Sequence, residues 1–207
     1  MAGGLELKLS LLRGDWKAVE DQADTLRTLL HRCRNPWSLL DCAYSLACAR
    51  ATQGDGTGAH RALAWIQDFD LSFAASTHSE QLERSFRWLS DLYVGESVGS
   101  AADPTCLRAR VERGNDSTGG LADACLAVEL ADHRRDGALA AAALIRLERA
   151  AAQGWVFTTG WPFFVPRILG VAVSLTGDLE RARRRLERAV SLAETLRLPV
   201  EGGRSRL

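Results

Sequence analysis

Lysine, methionine and long apolar runs are scarce or absent in this 207-residue chain. Lys8 and Lys17 are its only lysines, so 24 of its 26 basic side chains are arginines, a bias typical of GC-rich genomes. The 26 acidic side chains cancel that charge, which leaves no net field to attract nucleic acid or anionic lipid. No apolar run reaches the about 18 residues of a transmembrane helix. The start, MAGGLELKLSLLRGDW, carries charges where a signal peptide needs an apolar stretch. From these features together we expect no membrane association and no direct binding of nucleic acid.

Two further absences limit the chemistry. The cysteines are odd in number and lack CxxC spacing: Cys33, Cys42, Cys48, Cys106 and Cys125. We expect them to be reduced, mostly buried thiols of a cytoplasmic protein. The sequence has no GxxxxGK[ST] phosphate loop, and its four histidines have no second ligand at metal-binding spacing. We therefore expect no cofactor and no metal site.

Glycines recur with a period near forty residues. Gly14, Gly54, Gly95, Gly137 and Gly177 are separated by 40, 41, 42 and 40 residues. Four of them follow one helical stretch and precede another, where a glycine in the left-handed conformation closes a helix. A fixed period of this size is typical of stacked helical hairpins.

The apolar spacing and the helix-start signals predict an all-α chain with no sheet. Ten helices are expected, at 4–13, 15–33, 36–53, 57–68, 77–94, 104–113, 119–134, 137–152, 162–176 and 178–197. They pair into five hairpins, about 4–33, 36–68, 77–113, 119–152 and 162–197, in a single helical-repeat domain over 1–207. The predicted architecture is an α-solenoid of antiparallel hairpins. Neither end has an obvious polar cap, so we also expect exposed apolar surface at one or both ends, and therefore self-association or a missing neighbouring domain.

The last hairpin resembles a tetratricopeptide repeat. Leu169-Gly170 and the turn Gly177-Asp178 match that repeat, and Ala182, Leu186 and Ala189 match the small and large positions of its second helix. The second hairpin repeats part of the pattern with Leu46-Ala47, Gly54, Ala59 and Leu63. The other hairpins depart from it. The long period and degenerate pattern are similar to the longer-helix repeats of large bacterial signal-transducing regulators. Residues 154–197 resemble the last part of such arrays in actinobacterial-type LuxR-type or cyclase-linked signal-transducing ATPase regulators.

That resemblance implies a fragment of, or remnant from, a larger bacterial transcriptional or signalling regulator. It carries no ATPase, cyclase or helix-turn-helix activity, because this chain lacks those parts. In such arrays a further helix follows, and LPVEGGRSRL at the end of the chain reads as its beginning. The expected function is non-catalytic binding of a protein partner or of neighbouring domains. The alternative is a domain that senses a small-molecule inducer in its groove.

The first helix of each hairpin would line the groove of a tetratricopeptide-like array, which makes its large polar and aromatic side chains candidates for binding. The candidates are Arg50, Arg84, Arg87, Trp88, Arg134, Trp155, Trp161 and Arg167. Trp155 and Trp161 lie in GWVFTTGWPFFVPRILG, residues 154–170, which we interpret as packing between hairpins, with a ligand-facing aromatic wall as the alternative. The arginine-rich RARRRLER, residues 181–188, is interpreted as a solvated face with local ion pairs.

One catalytic motif matches formally. VGESVG contains GxSxG at Gly95, Ser97 and Gly99, followed by Asp132 and His133 in the order of an α/β-hydrolase triad. That motif needs a strand before the serine and a helix directly after it, and neither is predicted here. A Ser97 hydrolase is therefore only a remote alternative, and we expect no enzyme.

Overall fold

The computed structural model describes residues 2–33, 36–65, 77–95, 104–114, 118–158 and 161–206. Within them the fold is all-α, with an isolated bridge between Phe157 and Phe164 and no strand. The helices are α1 (Ala2–Arg13), α2 (Trp16–Cys33), α3 (Pro36–Thr52), α4 (Gly56–Ala64), α5 (Thr77–Val94), α6 (Pro104–Arg113), α7 (Thr118–Arg134), α8 (Gly137–Ala152), α9 (Val165–Leu175), α10 (Leu179–Thr195) and α11 (Pro199–Arg204).

The ten predicted helices correspond to α1–α10. The fourth ends at Ala64 rather than 68, although residues 66–68 lie outside the described ranges. The ninth begins at Val165 rather than 162, which agrees with the start near 163–165 that Pro162 and Pro166 predict. The Val165 N–H donates to the Val156 carbonyl at 2.9 Å, so the residues before the helix pair with the preceding segment. Pro166 then occupies the first turn, where a missing N–H costs no helical hydrogen bond.

The chain divides into two compact units, Met1–Gly99 (unit 1) and Ser100–Leu207 (unit 2). In unit 1, α3 packs against α1, α2, α4 and α5, and α5 also packs against α4. The Tyr44 and Phe86 rings stack at 3.8 Å between α3 and α5. The small residues Ala43, Ala47 and Ala59 are fully buried, which lets these helices approach closely. The single domain expected over 1–207 stays a prediction.

In unit 2, α7 packs against α6, α8 and α9, while α9 packs against α8 and α10. The α9–α10 contact depends on small residues: a side-chain carbon at Gly170 would lie 2.6 Å from Leu186 Cδ2, and Ala182 and Ala189 are buried. The short α11 packs against α10. It begins where the sequence indicated a further helix, at Pro199.

Most hairpin turns combine a left-handed residue with an aspartate. Gly54 has φ 82°, the Asp55 N–H donates to the Arg50 carbonyl at 2.9 Å, and Asp55 Oδ1 accepts from the Gly58 N–H at 2.8 Å. The glycine thus ends one helix and the aspartate caps the next. The same pairing occurs at Gly14-Asp15, Arg135-Asp136 and Gly177-Asp178.

The turn between α7 and α8 departs from the glycine period. Its left-handed residue is Arg135, with φ 55°, and not Gly137 as the spacing predicts. Asp136 caps α8 through the Leu139 N–H at 2.9 Å, so Gly137 is already the first residue of that helix. Gly137 is needed for a different reason, since a side-chain carbon there would lie 2.8 Å from the Leu175 carbonyl oxygen.

Candidate functional site

An open cleft of about 340 Å³ lies within unit 2, where the end of α8, the segment after it, α9 and α10 meet. Its walls are mostly apolar, and two arginines of α10 are its charged lining residues. The apolar lining consists of Ala151, Gly154, Trp155, Val156, Pro166, Leu169 and Leu192. Leu169 is buried, whereas Trp155 keeps 37% of its surface exposed, so Trp155 is the aromatic side chain that a ligand reaches from solvent.

The segment after α8 is held by backbone hydrogen bonds on both sides of Trp155. Gly154 has φ 80°, and the Trp155 N–H donates to the Ala150 carbonyl at 3.0 Å, which ends α8. On the other side, the Val156 carbonyl accepts from the Val165 N–H. Phe163 and Phe164, each with no exposed surface, anchor the end of this connection in the core. The cleft wall is therefore fixed by the fold.

Arg185, Arg188 and Leu192 form the α10 wall because residues at i, i+3 and i+7 share one helix face. The neighbouring arginines of α10 have acidic partners: Arg181 pairs with Glu148, and Arg183 pairs with Glu187 at 2.7 Å. Among the described residues, Arg185 and Arg188 have no ion pair. The cleft therefore combines two unneutralised guanidinium groups with an apolar interior.

A second polar feature of unit 2, the buried charged cluster, consists of Glu129, Arg167, Glu201 and Arg204. Arg167 Nη2 lies 2.6 Å from Glu129 Oε1, and Arg167 Nε lies 2.8 Å from Glu201 Oε2. Arg204 also reaches both acids, at 3.0 Å from Glu129 and 3.4 Å from Glu201. The cluster joins α7, α9 and α11, and its two positive and two negative charges balance.

The arginines of this cluster keep the Glu129 carboxyl group ionised. Burial alone would raise the pKa of Glu129, but the positive charges and hydrogen bonds of Arg167 and Arg204 outweigh it and lower the pKa to about 2. Burial, with the nearby Glu129 charge, raises the pKa of Cys125, so that thiol stays protonated near neutral pH. Glu129 is therefore ionised near neutral pH and holds no proton to exchange there.

The candidates predicted in unit 1 lie in different surroundings. Arg50 pairs with Glu20 at 3.1 Å and with the capping residue Asp55 at 3.5 Å. Trp88 is buried, with 7% of its surface exposed, while Arg84 and Arg87 are exposed on α5. The structure therefore places Arg50 in ion pairs, Trp88 in the core, and Arg84 and Arg87 on the exposed surface of α5.

The candidates predicted in unit 2 also lie in different surroundings. Trp155 lies in the cleft, whereas Trp161 is buried and stacks on Phe163 with ring centroids 5.5 Å apart. Arg167 belongs to the buried charged cluster, and Arg134 is exposed at the end of α7. Trp161 thus has the packing role expected for its segment, and Trp155 fits the alternative of a ligand-facing aromatic side chain.

The sequence interpretation missed Arg185 and Arg188 as site residues. Within RARRRLER, the other three arginines each have an acidic residue three or four positions away, which allows an ion pair along the helix. Arg185 and Arg188 have none at those positions. That local difference distinguishes Arg185 and Arg188 from the other arginines in the sequence.

The hydrolase hypothesis falls largely outside the described ranges. Ser97 and Gly99 are not among the described residues, while Gly95 follows the helix α5. Asp132 and His133 lie on α7, where Asp132 pairs with Arg135 at 3.2 Å. Across the described ranges, no group of three or more His, Cys, Asp or Glu residues is placed to hold a metal ion. The described helices also include none that is both long and apolar enough to span a membrane.

Comparison with known proteins identifies no family. No family model, no curated protein and no solved structure matches this chain. The site is therefore interpreted from its own geometry.

Proposed function

We propose that the chain is a non-catalytic helical-repeat module that binds a protein partner in a bacterial transcriptional or signalling regulator. The observation that supports this proposal is the packing of alternate helices. In unit 1, α3 contacts both α1 and α5, and in unit 2, α7 contacts α9 and α6 contacts α8. Helical hairpins that stack on their neighbours produce this pattern, and stacked hairpins present extended binding surfaces.

The recurring turns support the same interpretation. A left-handed residue followed by a capping aspartate connects α1 to α2, α3 to α4, α7 to α8 and α9 to α10. Equivalent connections between successive helix pairs are the local feature from which an α-solenoid is built. We infer that each unit is a short array of antiparallel, tetratricopeptide-like hairpins.

The exposed arginines of α5 provide a way to test partner binding. The intact chain is used as bait in its source cytoplasm, in parallel with an Arg84→Glu/Arg87→Glu double variant. We expect the wild-type chain to retain a defined partner, and the reversed charge to weaken that capture. Arg183→Glu in unit 2 is the control for added negative charge. Equal capture by all three proteins would count against α5 as the binding surface, and no specific capture would count against the proposal.

Sensing of a small-molecule inducer is a second candidate, favoured by the cleft of unit 2. Its volume of about 340 Å³ lies within the range of about 300–1,000 Å³ that is usual for small-ligand sites. Partner binding and ligand sensing are compatible, since a regulator can use one to control the other. Thermal stabilisation of the intact chain by a metabolite would support sensing.

A further inference from the structure

We propose that the unit 2 cleft binds a small organic carboxylate with an apolar body, its carboxylate on Arg185 and Arg188 and its apolar part against Trp155 and Leu192. This inference goes beyond partner binding and rests on the sensing candidate, for which it names the ligand class. It is argued from the lining chemistry, the charge and the size of the cleft.

The lining chemistry selects against most polar ligands. Apart from the two arginines, the side chains around the cleft are alanine, tryptophan, valine, proline and leucine, with no carboxylate, amide or hydroxyl group among them. A sugar needs several donors and acceptors, and an organic cation needs a carboxylate or an aromatic cage. Neither requirement is met here, whereas an aliphatic or aromatic hydrocarbon body fits these walls.

The charge selects an anion. Arg185 and Arg188 stand one turn apart on the same face of α10, and neither has an acidic partner among the described residues. A guanidinium offers parallel N–H donors that match the two oxygens of a carboxylate. Because the neighbouring walls are apolar, a charged hydrogen bond there is less screened than one in open solvent.

Size separates the proposed ligand from a bare anion. Inorganic phosphate would satisfy the arginines but would leave the surface of Trp155 and Leu192 uncovered. A ligand with a chain of several carbons covers that surface as well, and burial of apolar surface adds to the affinity. The cleft should therefore discriminate in favour of molecules that carry both features.

Octanoate is the test probe, titrated by calorimetry into the intact chain. Octanamide keeps the chain and removes the charge, while acetate and inorganic phosphate keep the charge and remove the chain. We expect octanoate to bind at least about tenfold more tightly than each of the three, since a charged hydrogen bond or several buried methylenes is each worth that factor. If octanoate binds no more tightly than octanamide, the proposed role of the arginines is overturned. If phosphate binds as tightly as octanoate, the proposed contact of an apolar body with Trp155 and Leu192 is overturned.

Variants locate the binding. Arg185→Gln/Arg188→Gln should weaken octanoate binding by about tenfold or more, whereas Arg183→Gln on the same helix should leave it unchanged. With fluorotryptophan incorporated, the fluorine signal that disappears in Trp155→Phe should shift on titration. Equal weakening by Arg183→Gln, or an unmoved Trp155 signal, overturns the proposal. Partner capture is measured separately, so failure of the cleft and failure of partner binding are distinguishable.

Discussion

Unit 1 and unit 2 bury different kinds of polar side chain. Among the described residues of unit 1, the buried polar ones are Ser45, Ser85 and Ser90, and the Ser85 and Ser90 hydroxyls have no hydrogen-bond partner among the described atoms. In unit 2 they include Arg167 and Glu201, which are paired at 2.8 Å. A small neutral hydroxyl is tolerated unpaired at modest cost, whereas a buried charge must be neutralised.

The difference follows from the lengths of the helices that are attached in each unit. In unit 1, α5 has 18 residues and packs through apolar and aromatic side chains, including the Tyr44–Phe86 stack. In unit 2, α11 has six residues, too few to form a stable isolated helix or to bury much apolar surface. Glu201 and Arg204 instead tie α11 to Arg167 and Glu129. Charge pairs thus hold the short α11, whereas packing holds α5, and the units should respond differently to loss of an arginine.

The largest effect is expected from Arg167→Met. Removing this guanidinium takes a charged partner from both Glu129 and Glu201, which are buried, and should lower the free energy of unfolding by about 3–5 kcal/mol. The matched control is Arg50→Met in unit 1, whose partners Glu20 and Asp55 are half-exposed, and which should cost less than about 1 kcal/mol. Urea unfolding followed by circular dichroism measures both, and similar losses would remove the distinction between the units.

Acid should weaken the charged cluster next. The pKa of Glu129 is lowered from 4.5 to about 2 in the folded chain, so the unfolded state binds the proton more readily. The resulting stabilisation is fully present above about pH 4.5 and is lost as the pH falls from there through about 2, amounting to about 3 kcal/mol. Urea unfolding across this range measures it.

Glu129→Gln isolates that contribution. The variant keeps a hydrogen-bond acceptor for the arginines but has no titrating proton, so the difference in unfolding free energy between wild type and variant should shrink as the pH falls towards 2. Carboxylates outside the charged cluster contribute equally to both proteins and cancel in the difference. A difference that stays constant from pH 6 downwards would show that Glu129 is not held ionised by the cluster.

The helices of both units could be predicted because their signals are local. Apolar spacing and capping residues lie within a few positions of one another, and α1–α10 follow them closely. The choice of Gly137 over Arg135 failed because either neighbour of Asp136 could take the left-handed turn, and glycine is the usual occupant. The sequence alone does not show that Gly137 is required by its contact with Leu175.

The buried charged cluster could not be predicted in this way. Arg204 and Glu129 are 75 positions apart, and Arg167 and Glu201 are 34 apart, so no local spacing relates them. Arg167 is predicted as a groove residue because it lies on the first helix of its hairpin, but it is buried and pairs with Glu201 of α11. The cleft arginines were within reach of local reasoning, since the absence of an acidic neighbour at three or four positions distinguishes Arg185 and Arg188.

A moderate effect is expected from Gly54→Ala in the turn between α3 and α4. Gly54 has φ 82° and open space around the position of a side-chain carbon, so the cost is purely conformational, about 1–2 kcal/mol of unfolding free energy. Gly203→Ala in α11 is the matched control, because its surroundings are also open and its backbone is helical. Denaturant unfolding should show a loss for Gly54→Ala alone. An equal loss at Gly203 would mean that the left-handed turn is not the cause.

The smallest loss of unfolding free energy is expected from removal of a capping aspartate. It should be equal in both units, because the two caps have the same geometry. Asp15 Oδ1 accepts from the Ala18 N–H at 3.1 Å in unit 1, and Asp178 Oδ1 accepts from the Arg181 N–H at 3.0 Å in unit 2. Replacing either by alanine leaves a helix N–H without its cap and should cost about 1 kcal/mol, whereas asparagine keeps the acceptor and should restore most of it. Urea unfolding of the four variants measures this. Unequal alanine costs, or no rescue by asparagine, would show that the two turns differ despite their shared geometry, and that the contrast between the units extends beyond their cores.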